Sequence, residues 1–136
     1  WEVKTEGQTS RPQGLYRAAS CVQDGIAYLI GGRAANDSIA TGGWAYNIES
    51  SSWSERPSFP TAQFGGVALS IDNTLYAGWG MTGRDYSSPT YNLQLWSSTD
   101  GAWSWQEETV FPGTGVLGMY LTRKSISVWE QTQIHY

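Results

Sequence analysis

Short apolar runs alternate with polar turn residues along most of the chain, which predicts strands rather than helices. The first four runs cover about 16–22, 26–31, 42–48 and 53–57, and the next four cover about 64–70, 74–80, 91–97 and 103–109. The pairs Asp24-Gly25, Asp72-Asn73 and Asp100-Gly101 lie between runs and tolerate the positive φ angles of hairpin turns. The pattern therefore predicts two successive units of four antiparallel strands.

These two units repeat at a spacing of about fifty residues. Residues 53–60 and 105–112 share the pattern Trp-x5-Phe-Pro, and a small-residue apolar run follows each of them. Two aromatic pairs with the same separation, Tyr46 with Trp53 and Trp96 with Trp103, end the two units. A repeat of this length with four strands describes a blade of a β-propeller.

The stretch Tyr28-Leu-Ile-Gly31-Gly32, followed by Tyr46-x6-Trp53, is similar to the kelch motif. That resemblance implies a propeller in which the glycine pair allows close packing near the axis. It also implies that the repeated aromatic residues pack between blades, and these are Trp1, Trp53, Trp103, Tyr28, Tyr46 and Tyr76. The second unit departs from the motif, with Gly78-Trp79-Gly80 in place of the glycine pair and Trp96 in place of the tyrosine.

The predicted fold class is therefore all-β, with propeller blades of four antiparallel strands and about three blades' worth of chain. The predicted divisions are a last strand of a preceding blade, two full blades and a partial blade, at 1–12, 13–60, 61–112 and 113–136. A closed propeller needs about four or more blades. Either two chains close a six-bladed ring, each completing the other's last blade, or these residues belong to a longer propeller.

The composition excludes several classes of partner. Charged residues make up only 15% of the chain, the net charge is −4, and no basic run occurs, so no nucleic-acid binding is expected. No apolar run approaches the ~20 residues of a membrane helix, so no membrane insertion is expected. The single cysteine, Cys21, fits a secreted or a cytoplasmic protein equally well and is expected to be an inert buried thiol.

The sequence offers little for catalysis or for a metal. The only histidine, His135, lies next to the C-terminal residue, a poor place for a general base. Glu107 and Glu108 are adjacent on a predicted strand and point to opposite faces. We therefore expect no enzyme activity, no catalytic residue, no metal and no cofactor.

Three tryptophans that the motif does not require, Trp44, Trp79 and Trp129, lie in or near predicted strand ends. Flat sugar faces stack on indole rings, and arginine with carboxylates binds hydroxyls. The charged candidates beside them are Arg33, Asp37, Arg84, Asp85, Arg123 and Glu130. The sequence thus predicts a multivalent propeller lectin, a homodimer that binds glycans or glycoproteins.

A second resemblance concerns assembly. The stretch Phe111-Pro-Gly-Thr-Gly115, a strand, and then Ser127-Val-Trp-Glu-Gln131 resemble a blade junction of fungal fucose-binding lectin propellers. Those lectins have six blades, and bacterial relatives assemble the ring from short chains. The sugar-binding arginine of that family is Ser127 here. Two other functions stay open: a kelch-type protein-interaction module, and a fragment of a propeller enzyme whose catalytic residues lie in other blades.

Overall fold

Every regular element in the described part of the chain is a strand. The computed structural model describes residues 11–57 and 59–110 and, beyond them, the backbone of two further strands, 118–121 and 126–129. The strands in chain order are β1 Leu15–Tyr16, β2 Ala19–Gln23, β3 Ile26–Ile30, β4 Arg33–Ala34, β5 Gly43–Asn47, β6 Ser52–Arg56, β7 Val67–Ile71, β8 Thr74–Gly78, β9 Gln94–Ser98, β10 Gln106–Val110, β11 Gly118–Leu121 and β12 Ile126–Trp129.

Two of the sheets have four antiparallel strands each, as the sequence predicts. The first sheet has the order β2-β3-β5-β6, and the second has β7-β8-β9-β10. Asp24 and Gly25 join β2 to β3 with φ angles of 49° and 74°, and Asp72 and Asn73 join β7 to β8 with 47° and 61°. Such angles match the right-handed twist of the strands they connect. β11 pairs with β12, and β1 pairs with β4.

The sheets stack side by side through their first strands. β2 lies next to β7, and β7 lies next to β11, so the first strands of three successive sheets are neighbours. Radial stacking of four-stranded sheets around their first strands is the arrangement of a β-propeller. The chain is therefore an all-β, partial propeller, which confirms the predicted fold class.

Small, aliphatic and aromatic side chains fill the space between the first two sheets. One buried cluster contains Ala19, Ile30, Phe59, Ala68 and Ala77, and a second contains Tyr28, Ala45, Leu75 and Ala102. Cys21 packs against both clusters, and burial raises the pKa of its thiol to about 11. A thiol with that pKa is almost entirely protonated at neutral pH, as expected of a cysteine with a packing role.

The register of the second sheet corrects one prediction from the repeat. Tyr46 pairs with Ala27, the second residue of β3, and the equivalent pair in the second sheet is Ser98 with Leu75. Gln106 pairs with Ser97, so the next step of the ladder brings Trp105 opposite Ser98. The residues of the second sheet equivalent to Tyr46 and Trp53 are therefore Ser98 and Trp105.

Trp103 was predicted in that role and lies elsewhere. Its side chain is 56% exposed, whereas Trp105 packs edge-to-face on Phe59 with ring centroids 5.0 Å apart. The prediction that Trp103 occupies the position equivalent to Trp53 is therefore wrong, and its contact with the first sheet is with Arg56 at the surface. The spacing from Trp96 misled the prediction, because Trp96 and Trp103 have the same separation as Tyr46 and Trp53, whereas the residue equivalent to Tyr46 is a serine, Ser98.

Candidate functional site

At one end of the first two sheets, the loops bring together a cluster of aromatic and charged residues. Tyr16 and Arg33 face each other in the short β1-β4 pair, and Arg17 follows Tyr16 directly. Phe64 precedes β7, and Tyr86 lies in the long loop between β8 and β9. We call these residues, together with Asp37 and Arg84, the loop-end cluster.

Two arginines of the cluster converge on one phenol oxygen. Arg17 Nη1 and Arg33 Nη1 each donate a hydrogen bond of 3.1 Å to Tyr86 Oη. The hydrogen bond from Arg17, and then that from Arg33, lowers the pKa of Tyr86 from its ordinary value. The Tyr86 ring remains 55% exposed, so the phenol joins two cations without being buried.

Asp37 supplies the negative charge of the cluster. Its Oδ1 accepts a 2.8 Å ion-pair hydrogen bond from Arg33 Nη2 and a 3.3 Å hydrogen bond from Tyr16 Oη. Its backbone carbonyl accepts a hydrogen bond from Arg84 Nη1 at 3.3 Å. Of the three arginines in the cluster, Arg33 contacts this carboxylate, and the cluster itself carries more positive than negative charge on a chain of net charge −4.

The two stacked arginines lie over a buried aromatic ring. Phe64 is 1% exposed, and the guanidinium carbons of Arg17 and Arg33 lie 5.3 Å and 5.0 Å from its centroid. Tyr86 meets the same ring at 79°, with centroids 6.2 Å apart. Cation–π contacts of this kind hold guanidinium groups in place.

Close backbone packing fixes the base of the cluster. Gly31 has φ 66°, and a Cβ on it would overlap the carbonyl oxygen of Gln63, so a glycine is required there. The next amide, Gly32 N, donates to that same Gln63 oxygen at 2.9 Å. Gln63 is itself buried and accepts from Asn92 Nδ2 at 2.9 Å. The pair Gly31-Gly32 thus joins the first sheet to the segment before β7, and Arg33 follows the pair directly in the chain.

The structure brings only part of the predicted sugar site together. Arg33, Asp37 and Arg84 belong to the loop-end cluster. Asp85 lies beside them in the chain but accepts hydrogen bonds from the hydroxyl and the amide of Ser87, which lower its pKa. Arg123 and Glu130 lie outside the described residues, and Trp129 belongs to β12, of which only the backbone is described.

The predicted stacking residue Trp79 is packed inside the molecule. It is 3% exposed, and its Nε1 donates a 3.1 Å hydrogen bond to the carbonyl of Leu93. It takes the place of Gly31 in the second sheet and has φ 56° there. Its ring faces are covered by Leu95 and neighbouring side chains, so they present no surface to a sugar.

Trp44 lies on a sheet face, away from the loop-end cluster. Its partner Leu29 is the fourth residue of β3, and Ala77, the partner of Trp96, is the fourth residue of β8. Trp44 and Trp96 are therefore equivalent positions. Trp96 packs edge-to-face against Phe59 of the preceding unit, with centroids 6.5 Å apart. By this equivalence Trp44 belongs to a surface for packing against a blade.

Four members of the cluster were not among the predicted site residues, namely Tyr16, Arg17, Phe64 and Tyr86. Tyr86 follows Arg84-Asp85 directly, so its place in the same loop was a usable signal. Arg17 has φ 55°, an unusual angle for arginine that turns its side chain toward the cluster. Nothing in the sequence predicts a positive φ angle at Arg17.

No metal site or membrane span is found where the structure describes the chain. Among those residues there is no group of three or more histidine, cysteine, aspartate or glutamate side chains able to hold a metal ion. Nor does any described helix have the length and apolar character needed to cross a membrane.

Comparisons with known proteins agree with the fold. Residues 14–60 match the family model of the Kelch motif. Of the solved structures, 117 chains match, so the fold is widely shared and does not by itself assign a ligand. One is the structure of YjhT, with 18% identity and a TM-score of 0.63, covering 77% of this chain and 41% of that chain. The chain thus spans less than half the length of YjhT.

Proposed function

We propose, from the premise that residues 14–60 are a kelch repeat within a partial β-propeller, that this chain is a non-enzymatic binding module and that its ligands are carbohydrates. The loop-end cluster is the proposed binding surface. The observation that carries the proposal is the convergence of Arg33, Asp37 and Arg17 beside two exposed rings, Tyr16 at 44% and Tyr86 at 55%. Fixed donors and acceptors next to aromatic faces match the hydroxyls and the C–H faces of a sugar ring.

The rigidity of the cluster supports binding as its role. The buried Arg33 donates hydrogen bonds to the exposed Tyr86 and Asp37, so these two side chains are held in place and have less entropy to lose when a ligand binds. Repetition of such loops around a propeller would present several weak sites at once. Their combined avidity would exceed the affinity of each site.

The test is a glycan array followed by titration calorimetry with a glycan that the array selects. Tyr86→Ala removes the exposed ring and the shared hydrogen-bond acceptor, and we expect it to weaken binding about tenfold, the loss typical of a central contact. Tyr86→Phe keeps the ring, and its affinity is expected to lie between those of the wild-type chain and Tyr86→Ala. Val110→Ala, at an exposed position of β10, is the control for a surface truncation. Absence of array binding, or binding that free sugar does not compete away, would reject the proposal.

A kelch-type protein-interaction module is the second candidate, and the excess positive charge of the cluster favours it. Three arginines against one aspartate would attract an acidic segment of a partner protein. The discriminating measurement uses a fluorescent glutamate-rich peptide. Affinity that falls steeply with salt, is lost in Arg17→Gln and is insensitive to free sugar would favour this function over carbohydrate binding.

A further inference from the structure

A second exposed aromatic site lies at the outer edge strand of the first sheet, β6, where it approaches the turn between β9 and β10. The feature is a groove of about 450 Å³ lined by Thr41, Gly42, Glu55, Arg56, Pro57 and Trp103. None of these residues belongs to the loop-end cluster. Grooves and clefts of this size accommodate small ligands.

The indole of Trp103 is held at the surface by its own turn. Ala102 is 3% exposed and packs with Tyr28, Ala45 and Leu75, which anchors the turn in the core. The amide of Trp103 donates a 3.0 Å hydrogen bond to Asp100 Oδ1. Because the backbone is fixed on both sides of the ring, the 56% exposure of this large apolar side chain is imposed by the fold.

Arg56 completes one side of the groove. Its guanidinium carbon lies 4.5 Å from the centroid of Trp103. Its Nε donates a 2.8 Å hydrogen bond to the carbonyl of Gly101, and its Nη1 donates one of 2.8 Å to Ser54 Oγ. The cation and the ring therefore come from different sheets and are fixed relative to each other.

The kelch register leaves Trp103 without a role in the repeat. Trp105 takes the packing position opposite Ser98, and Trp103 is an additional aromatic residue in the preceding turn. The groove therefore places an exposed indole next to a fixed guanidinium, and a sugar ring can use both an aromatic face and a hydrogen-bond donor.

We propose that this groove, which we call the rim groove, is a second saccharide site, in which a pyranose ring lies against Trp103 and its hydroxyls bond to Arg56 and Thr41. The inference rests on the proposed carbohydrate binding and adds a site at a different place. Two sites on one chain, one at the loop end and one at the rim, would allow a branched or clustered glycan to engage both.

The test labels the chain with 5-fluorotryptophan and follows each tryptophan by ¹⁹F NMR while methyl pyranosides are added. The Trp103 resonance is assigned by its loss in Trp103→Phe. We expect this resonance to shift saturably with at least one pyranoside. Glycan affinity is expected to fall about tenfold in Trp103→Ala, and less in Trp103→Phe, which keeps a ring. Ile48→Ala, at another exposed apolar position, is the matched control, and melting curves verify folding of each variant.

The outcomes separate the two proposals. In one outcome glycans bind, Tyr86→Ala weakens their binding, the Trp103 resonance does not shift, and Trp103→Ala leaves the affinity unchanged. The rim groove is then rejected and the loop-end proposal stands. If the Trp103 resonance responds and Tyr86→Ala leaves affinity unchanged, the rim groove is the saccharide site and the loop-end proposal fails. If no glycan and no pyranoside binds the wild-type chain, both are rejected.

Discussion

Asp100, in the turn between β9 and β10, accepts hydrogen bonds from several donors of the same turn. They come from the hydroxyls of Ser98 and Ser104 and from the amides of Trp103 and Ser104. The hydroxyl of Ser104 is the largest cause that lowers the pKa of Asp100, to about 2. The ionised carboxylate is therefore the form that the folded turn requires.

A pH dependence of stability follows from this lowered pKa. Because the folded-state pKa lies below the ordinary 3.8, ionised Asp100 stabilises the fold above that pH. The contribution is lost progressively as the pH falls from about 4 to about 2. We expect the urea midpoint to decline over this range, and Asp100→Asn to flatten that decline.

The comparison uses urea unfolding of each variant at several pH values. Asp24→Asn makes the same change of charge in the first hairpin turn and serves as the control. It should leave the acid-induced decline in place. If the urea midpoints of the wild-type chain and Asp100→Asn decline with the same slope between about pH 4 and about pH 2, Asp100 is not the source of the decline.

At this scale the sequence predicts the placement of residues in loops better than the direction in which a side chain points. Turn signals place Arg33, Asp37 and Arg84 in loops, and the structure brings them together, while their binding of a sugar stays a prediction. Trp79 was misjudged because it stands at a position with φ 56°, where the equivalent residue is Gly31. The angle directs the indole into the molecule, and only the three-dimensional register reveals it.

At the scale of elements, the strands were predicted well and their beginnings less well. β2 starts at Ala19 and β7 at Val67, three residues later than each predicted run. Arg17 and Gly65 precede them with φ angles of 55° and 64°, so the chain turns before each strand begins. Apolar periodicity continues through such turns, because the residues there are still partly buried, and it therefore overestimates strand length.

The seam between the first two sheets depends on Phe59, which is 3% exposed and packs on Trp96 and Trp105. Replacing it with alanine removes both edge-to-face contacts and leaves a cavity. We expect Phe59→Ala to lower the free energy of unfolding by about 3–5 kcal/mol, and Phe59→Leu to lower it by less. Denaturant unfolding measures both.

Val110→Ala provides the reference for this seam, because Val110 is an exposed apolar residue on β10. Its effect should stay within about 0.5 kcal/mol, as for most surface changes. A loss at Phe59→Ala no larger than that of the reference would show that the two sheets are not held together through this ring.

At the scale of the whole molecule, one face of the first sheet points away from the second sheet. The opposite face packs on the second sheet through Tyr28 and Ala45. Because side chains alternate along a strand, the residues next to these two and their partners in register point away from the second sheet. These include Trp44, Leu29 and Val22, the last 59% exposed. Since Trp44 is equivalent to Trp96, which receives Phe59 of the preceding unit, this face has the form of a blade surface that accepts another blade.

We expect a second copy of the chain to supply that blade, closing a ring of two chains. Sedimentation at micromolar concentration should then give twice the mass of one chain. Val22→Glu places a charge on the open face without disturbing the core, and it should shift the mass toward one chain. Gln106→Glu adds the same charge at an exposed position of β10 and should leave the mass of the particle unchanged. A wild-type particle with the mass of one chain would exclude the two-chain ring, and the covering blade would then have to come from the same polypeptide.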